Sequence, residues 1–177
     1  MAFTIAGSLS PFGGPLLRSQ IVANSVALVE LDSVTVEPGY NAAGFVRLGV
    51  AAGRVFGHVK AIVTNNGVGL LTDGTTGAAI GSFTNAYTVA SDNQTIAQVR
   101  AQVDVSKETL YSVDPDAAIA TTTGSNLLGY KTDIIDEDNT DEDTATSATA
   151  QYFIWGVDPN TAANQIVNIF ESGVFGV

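Results

Sequence analysis

The sequence predicts an all-β protein: a single compact antiparallel β-barrel or jelly-roll-like sandwich with an extended N-terminal arm and little helix. Three observations carry that expectation. Between positions 95 and 106, Ala97, Val99, Ala101, Val103 and Val105 alternate with Gln98, Arg100, Gln102, Asp104 and Ser106. A period of two gathers the apolar side chains on one face of a strand, whereas a helix would scatter them around its circumference. No segment combines a sustained helical repeat with caps at both ends, and turn residues recur about every 8 to 15 positions, the spacing of a sandwich or barrel.

Taken in order, residues 1–22 contain Pro11, Pro15 and the pair Gly13-Gly14, with apolar residues at no fixed period. They read as an arm in which Phe3, Ile5, Phe12, Leu16 and Leu17 either fray or pack onto a neighbouring subunit. Residues 23–177 form the β-rich domain. The run SVALVELDSVTV at 25–36 is rich in β-branched residues and is stopped by Glu37-Pro38-Gly39, which predicts one strand. In RVFGHVKAIV at 54–63, Val55, Val59, Ala61 and Val63 share one face and Arg54, His58 and Lys60 the other. Asn66-Gly67 then favours a tight hairpin, with Val68 to Leu71 pairing back, and TDGTTGAAIG at 72–81 reads as a further turn. QYFIWGV at 151–157 and QIVNIF at 165–170 are apolar on both faces or nearly so, as central strands or subunit contacts are. VDPDAA at 113–118 echoes VDPNTAA at 157–163, which repeated Asp-Pro turn chemistry explains.

Composition bounds the function. A chain of 177 residues, 45% of them hydrophobic and 14% charged, buries a sizeable core without staples. With no cysteine there are no disulfides, thiolate metal sites or cysteine nucleophiles. Seven Lys and Arg against 18 Asp and Glu leave a net charge of -11, which disfavours nucleic acid as a partner. The start MAFTIAGSLS lacks the basic opening and apolar stretch of a signal peptide, and no run approaches the roughly 20 residues that span a bilayer, so no membrane partner is expected.

Catalytic and cofactor signatures are missing from the sequence. His58 is the sole histidine, its predicted strand neighbours are Arg54 and Lys60, and no nucleophile elbow, P-loop, zinc or dinucleotide motif occurs. No enzymatic activity, catalytic residue or cofactor is expected. The acidic run from Asp133 to Asp143 holds seven of the 18 carboxylates. It reads as a solvated loop, as a contact for a basic patch on a neighbour, or as a calcium loop with Asp136, Asp138, Asp141 and Asp143 as candidate ligands.

The string DGTTGAAIG from Asp73 to Gly81, followed by short Gly- and Ala-rich strands, resembles the head decoration, or cement, proteins of tailed bacteriophages. Lambda-type members of that family carry a similar Asp-Gly-Thr-Thr stretch followed by Gly-Ala-Ala. The resemblance implies a structural protein of the virion, on the capsid exterior, often a homotrimer, that clamps the major capsid protein lattice. This chain is longer and adds the acidic run and the ending VFGV, which leaves a jelly roll and a lambda-type barrel both open. The alternative is a calcium- or carbohydrate-binding β-sandwich module using the acidic loop with Trp155, Tyr152 or Tyr130. Open strand edges suit the first reading, because an edge is a template for pairing with another chain.

Overall fold

A computed structural model describes residues 3–9, 16–36, 45–49, 55–64, 82–84, 86–89, 99–117, 119, 128–141, 151–161 and 164–169. The described residues are all-β, with 13 strands and no helix. They are β1 (Thr4–Ser8), β2 (Leu17–Val22), β3 (Ala27–Val29), β4 (Ser33–Val36), β5 (Phe45–Leu48), β6 (Gly57–Thr64), β7 (Ser82–Thr84), β8 (Ala86–Thr88), β9 (Val99–Asp104), β10 (Thr109–Val113), β11 (Lys131–Thr132), β12 (Tyr152–Val157) and β13 (Gln165–Ile169).

Five strands close on themselves. Following the pairings, β4 joins β5, β5 joins β2, β2 joins β9, β9 joins β6, and β6 returns to β4. All these pairs are antiparallel except β2 with β5, which is parallel. Beyond β4, the remaining edge of β6 pairs with β7, and the two-stranded ribbon of β3 and β8 sets Leu28 into the barrel. The barrel interior is aliphatic: Val22, Val34, Val46, Val59, Ile62, Val99, Ala101, Val103 and Val105 are buried together with Phe56. Each such side chain contributes about 1.5–3 kcal/mol on burial.

The other strands form an open antiparallel sheet in the order β1-β10-β13-β12-β11. Its inner face contributes Tyr111, Val113, Tyr152, Ile154, Val167 and Ile169 to a second core, joined by Phe3, Val55 and Ile134. The molecule is thus all-β, as the sequence predicts, with a closed five-stranded barrel and an open sheet laid against its outside.

Three sequence expectations change at particular residues. The run 25–36 is two strands, not one, because the chain turns at 29–32: Leu31 takes φ 75°, and the Val29 amide donates to Asp32 Oδ2 at 2.6 Å. In β6 a bulge between Val59 and Ala61 breaks the alternation, so Val59 and Ile62 enter the barrel while His58 faces the second core. The arm expected over 1–22 is largely built into the fold. Residues 4–8 pair with β10 as an edge strand, residues 17–22 are a barrel wall, and Phe3 is fully buried in this chain's own second core, not held free for a neighbour. The Asn66-Gly67 hairpin and the DGTTGAAIG stretch lie outside the described residues.

Candidate functional site

Two arrangements stand apart from ordinary packing: a buried polar row between barrel and sheet, and an exposed edge beside it. Cross-strand register creates the row. Ser33 of β4 opposes His58 of β6, which opposes Asp104 of β9, so their side chains share the barrel's outer face. All three have zero exposure, because the sheet covers them.

His58 is held from three sides. Its Nδ1 lies 3.0 Å from the Leu31 carbonyl and its Nε2 3.0 Å from the Tyr152 hydroxyl. A neutral ring that donates from Nδ1 and accepts at Nε2 satisfies both. The ring also packs on Phe3 and Tyr111, with centroids 4.4 and 4.1 Å away. Burial lowers its pKa to about 4, against the weaker opposing pull of the Leu31 carbonyl and Asp104. The single histidine is an interlock between the two layers, shut off from solvent.

Asp104 is the second fastening. Oδ1 accepts from the amides of Leu16 and Ser106 at 3.1 and 2.9 Å, and Oδ2 accepts from the hydroxyls of Thr109 and Tyr111 at 2.9 and 3.2 Å. Four donors satisfy a buried carboxylate without a cation. They tie the start of β2 to the turn between β9 and β10 and to the sheet. Period-two reading had put Asp104 on a polar face; that face is the one the sheet covers.

Residues 133–141 of the acidic run form a hairpin. Asp141 N donates to the Asp133 carbonyl and Ile135 N to the Asn139 carbonyl, with Ile134 and Thr140 bridged between them. Asp136 Oδ1 caps the turn by accepting from the amides of Asp138 and Asn139. Ile134 is buried and its amide donates to Gln151 Oε1, while Ser33 N donates to the Glu137 carbonyl. The loop therefore serves as a flap anchored on both layers. Of the calcium candidates, Asp136 is occupied as the turn cap and Asp143 lies outside the described residues. Among the described residues no group of three or more acidic or histidine side chains converges as a metal site would require. Near this hairpin, burial first and then Asp138 and Glu137 raise the Asp32 pKa to about 6, opposed by the Val29 amide.

The exposed edge is β1. Among the described residues it pairs on one side only, with β10, and Thr4, Ile5, Ala6 and Ser8 are exposed. A bulge between Ile5 and Gly7 places Ala6 as the extra residue. The Leu9 amide donates to the Glu108 carbonyl and the Val105 amide to the Leu16 carbonyl, so Leu9, Leu16 and Leu17 gather at the turn joining β9 to β10. These three and Ile5 are 42–51% exposed. Of the predicted arm contacts, Ile5 is exposed on β1 opposite Tyr111, Leu16 and Leu17 are exposed at the turn after β9, Phe3 is buried, and Phe12 lies outside the described residues. Leu9 was not singled out from sequence, although it belongs to the same apolar stretch.

On the sheet's outer face, Trp155 is 42% exposed, packs edge-on to Phe153 at 5.2 Å and donates from Nε1 to Asn168 Oδ1 at 3.0 Å. Trp155 is the extra residue of a bulge in β12, and Gly156 follows it at φ 142°. Tyr130 is exposed beside this strand, whereas Tyr152 is buried against His58 and presents no surface. No known protein family, curated protein or solved structure matches this chain.

Proposed function

We propose that this chain is a structural protein of a phage virion, without enzymatic activity of its own, that decorates the capsid exterior. It would stabilise the shell by binding the outer surface of the major capsid protein lattice, as a homotrimer. The observation that carries the reading is the β1 edge, open among the described residues, with Ile5 exposed on it and Leu9, Leu16 and Leu17 exposed at the turn joining β9 to β10. Unpaired strand edges and apolar corners are what assembly proteins cover on association, and many modest contacts add up through avidity on a lattice. The Asp-Gly-Thr-Thr likeness at 73–76 adds to it.

Light scattering at several concentrations tests the self-assembly part. A stable mass near three times the 18.2 kDa chain supports the reading, and a strict monomer counts against the trimer. Removing residues 1–20 is a poor test, since it takes away Phe3, β1 and most of the barrel strand β2.

A second reading, a carbohydrate-binding module, is favoured by one observation. The indole of Trp155 is 42% exposed and held by its hydrogen bond to Asn168, and a held, exposed aromatic ring suits stacking on the apolar side of a sugar. Titrating neutral mono- and oligosaccharides while following the fluorescence of this sole tryptophan tests it; an unchanged spectrum at millimolar sugar dismisses it.

A further inference from the structure

Phe3 and β1 occupy a slot that the rest of the chain builds without them. The ring of Phe3 has zero exposure and packs on His58, Tyr152 and Tyr111, with centroids 4.4, 5.5 and 6.1 Å away. Each of those side chains is fixed by other bonds: His58 to the Leu31 carbonyl and the Tyr152 hydroxyl, and Tyr111 to Asp104. Beside this pocket, β10 offers its edge in the register Thr4 to Ser112, Ile5 to Tyr111, Gly7 to Leu110 and Ser8 to Thr109. Pocket and edge together are a seat for an extended segment with one large aromatic residue at its start.

The occupant is held lightly. Among the described residues β1 pairs with β10 alone, and Thr4, Ile5, Ala6 and Ser8 are exposed, so Phe3 is the side chain that anchors it. Six residues join Leu9 to Leu16, Pro11 and Pro15 among them. Proline biases the residue before it toward extended backbone, and six extended residues span up to about 20 Å. A join of that composition suits a strand delivered to an adjacent copy. Exchange between copies keeps every contact of the slot, because the segment that leaves is identical to the one that arrives.

We propose that this slot is a strand-acceptor site, and that in the assembled protein it holds residues 3–8 of a neighbouring copy, each chain giving its first strand to the next. The inference rests on the self-assembly part of the reading above and names the contact that joins the copies. A head-to-tail exchange around a threefold axis closes on itself and leaves no slot empty, so assembly stops at the ring. The chain's own strand competes for the slot at high effective concentration, so exchange needs a second contact between copies. Leu9, Leu16 and Leu17, apolar and exposed at the two ends of the join, supply it.

The chain has no cysteine, so a designed pair reports which copy fills the slot. A Cβ added at Gly7 meets the Leu110 side chain at 3.9 Å, so Gly7→Cys with Leu110→Cys sets thiols within reach across β1 and β10. After oxidation of the oligomeric fraction and unfolding, the double variant is expected to run as chains linked to one another. An equimolar mixture of the two single variants, refolded together, should give a mixed dimer joined between positions 7 and 110. A trimer whose double variant closes its disulfides within single chains overturns the exchange and leaves the trimer standing. A labelled peptide of residues 1–9 tests the slot itself. The full chain carrying Phe3→Ala should bind it roughly tenfold or more tightly than the parent, whose own strand blocks the slot, and the peptide with the same substitution should bind roughly tenfold or more weakly. A monomer that binds the peptide in this pattern supports the acceptor site and counts against the trimer, whereas equal binding by both chains, or binding by neither, overturns the site.

Discussion

The barrel and the open sheet solve the same problem in opposite ways. The barrel abolishes its edges by closure, fills its interior with valine and isoleucine, and belongs to a segment of net charge near zero. By contrast, the sheet leaves β1 open among the described residues and packs Tyr111 and Tyr152 against a buried polar row, while the acidic excess of residues 105–177 lies in the segments outside its strands. Closure makes a rigid body that needs no partner, and an open edge makes a surface that does. The difference teaches where to look for function, and substitutions can break it or sharpen it.

The largest effect is expected at the joint. Asp104→Ala strips four donors of their acceptor in a fully buried place, and urea unfolding should show a loss of roughly 3–5 kcal/mol. Next come the two cores. Ile62→Ala in the barrel and Ile154→Ala in the sheet should each cost about 2–5 kcal/mol. Because His58 and Asp104 bind the layers together, both substitutions should lower one shared transition; two separate melting steps would show that the layers unfold independently.

Acid sharpens the comparison further. The folded pKa of His58 is depressed to about 4, below the ordinary value of 6.5, so the unfolded chain takes up the proton first. Its contribution is fully present above pH 6.5 and is lost as pH falls toward 4, about 3 kcal/mol in all. Asp32 runs the other way: its folded pKa is raised to about 6, so its contribution is present at low pH and lost as pH rises through 6. Between about pH 4 and 6 the two oppose each other. Asp32→Asn keeps an oxygen for the Val29 amide, so it should stabilise the protein above pH 6 and steepen its loss of stability in acid. Denaturant midpoints measured from pH 4 to 8 check both. The smallest effect is local: Gly156→Ala meets no neighbouring atom but forces a side chain onto φ 142°, which should cost about 1–3 kcal/mol and shift the emission of Trp155.

Regular elements were legible in the sequence. Val99, Ala101, Val103 and Val105 line the barrel as their alternation required, and 151–157 and 165–170 contain neighbouring strands of the sheet. Irregularities were not. The bulge at Lys60 leaves no residue signature, yet it sends His58 and Ile62 to opposite cores. Leu31 bends the chain at positive φ without a glycine, so one strand was read where two exist. Tyr152 reaches His58 across 94 residues, and Asp104 is buried only because a second layer covers it. The acidic hairpin did carry a signal in Ile134 and Ile135, two apolar residues in a charged run, of which Ile134 is the anchor.

The order in which these strands leave the ribosome differs from the order in which they can settle. β1 is made first, but its partner β10 ends at Val113 and the sheet's central strand β13 ends at Ile169. The five ring strands are all present once Asp104 has emerged, whereas Phe3 must wait for Tyr152 before its site is complete. At elongation rates of about 5–20 residues per second, the interval between the emergence of Asp104 and of Tyr152 lasts roughly 2–10 s. The edge is therefore finished only after β13 has been made, and a shorter nascent chain lacks the surface that it would present to a partner.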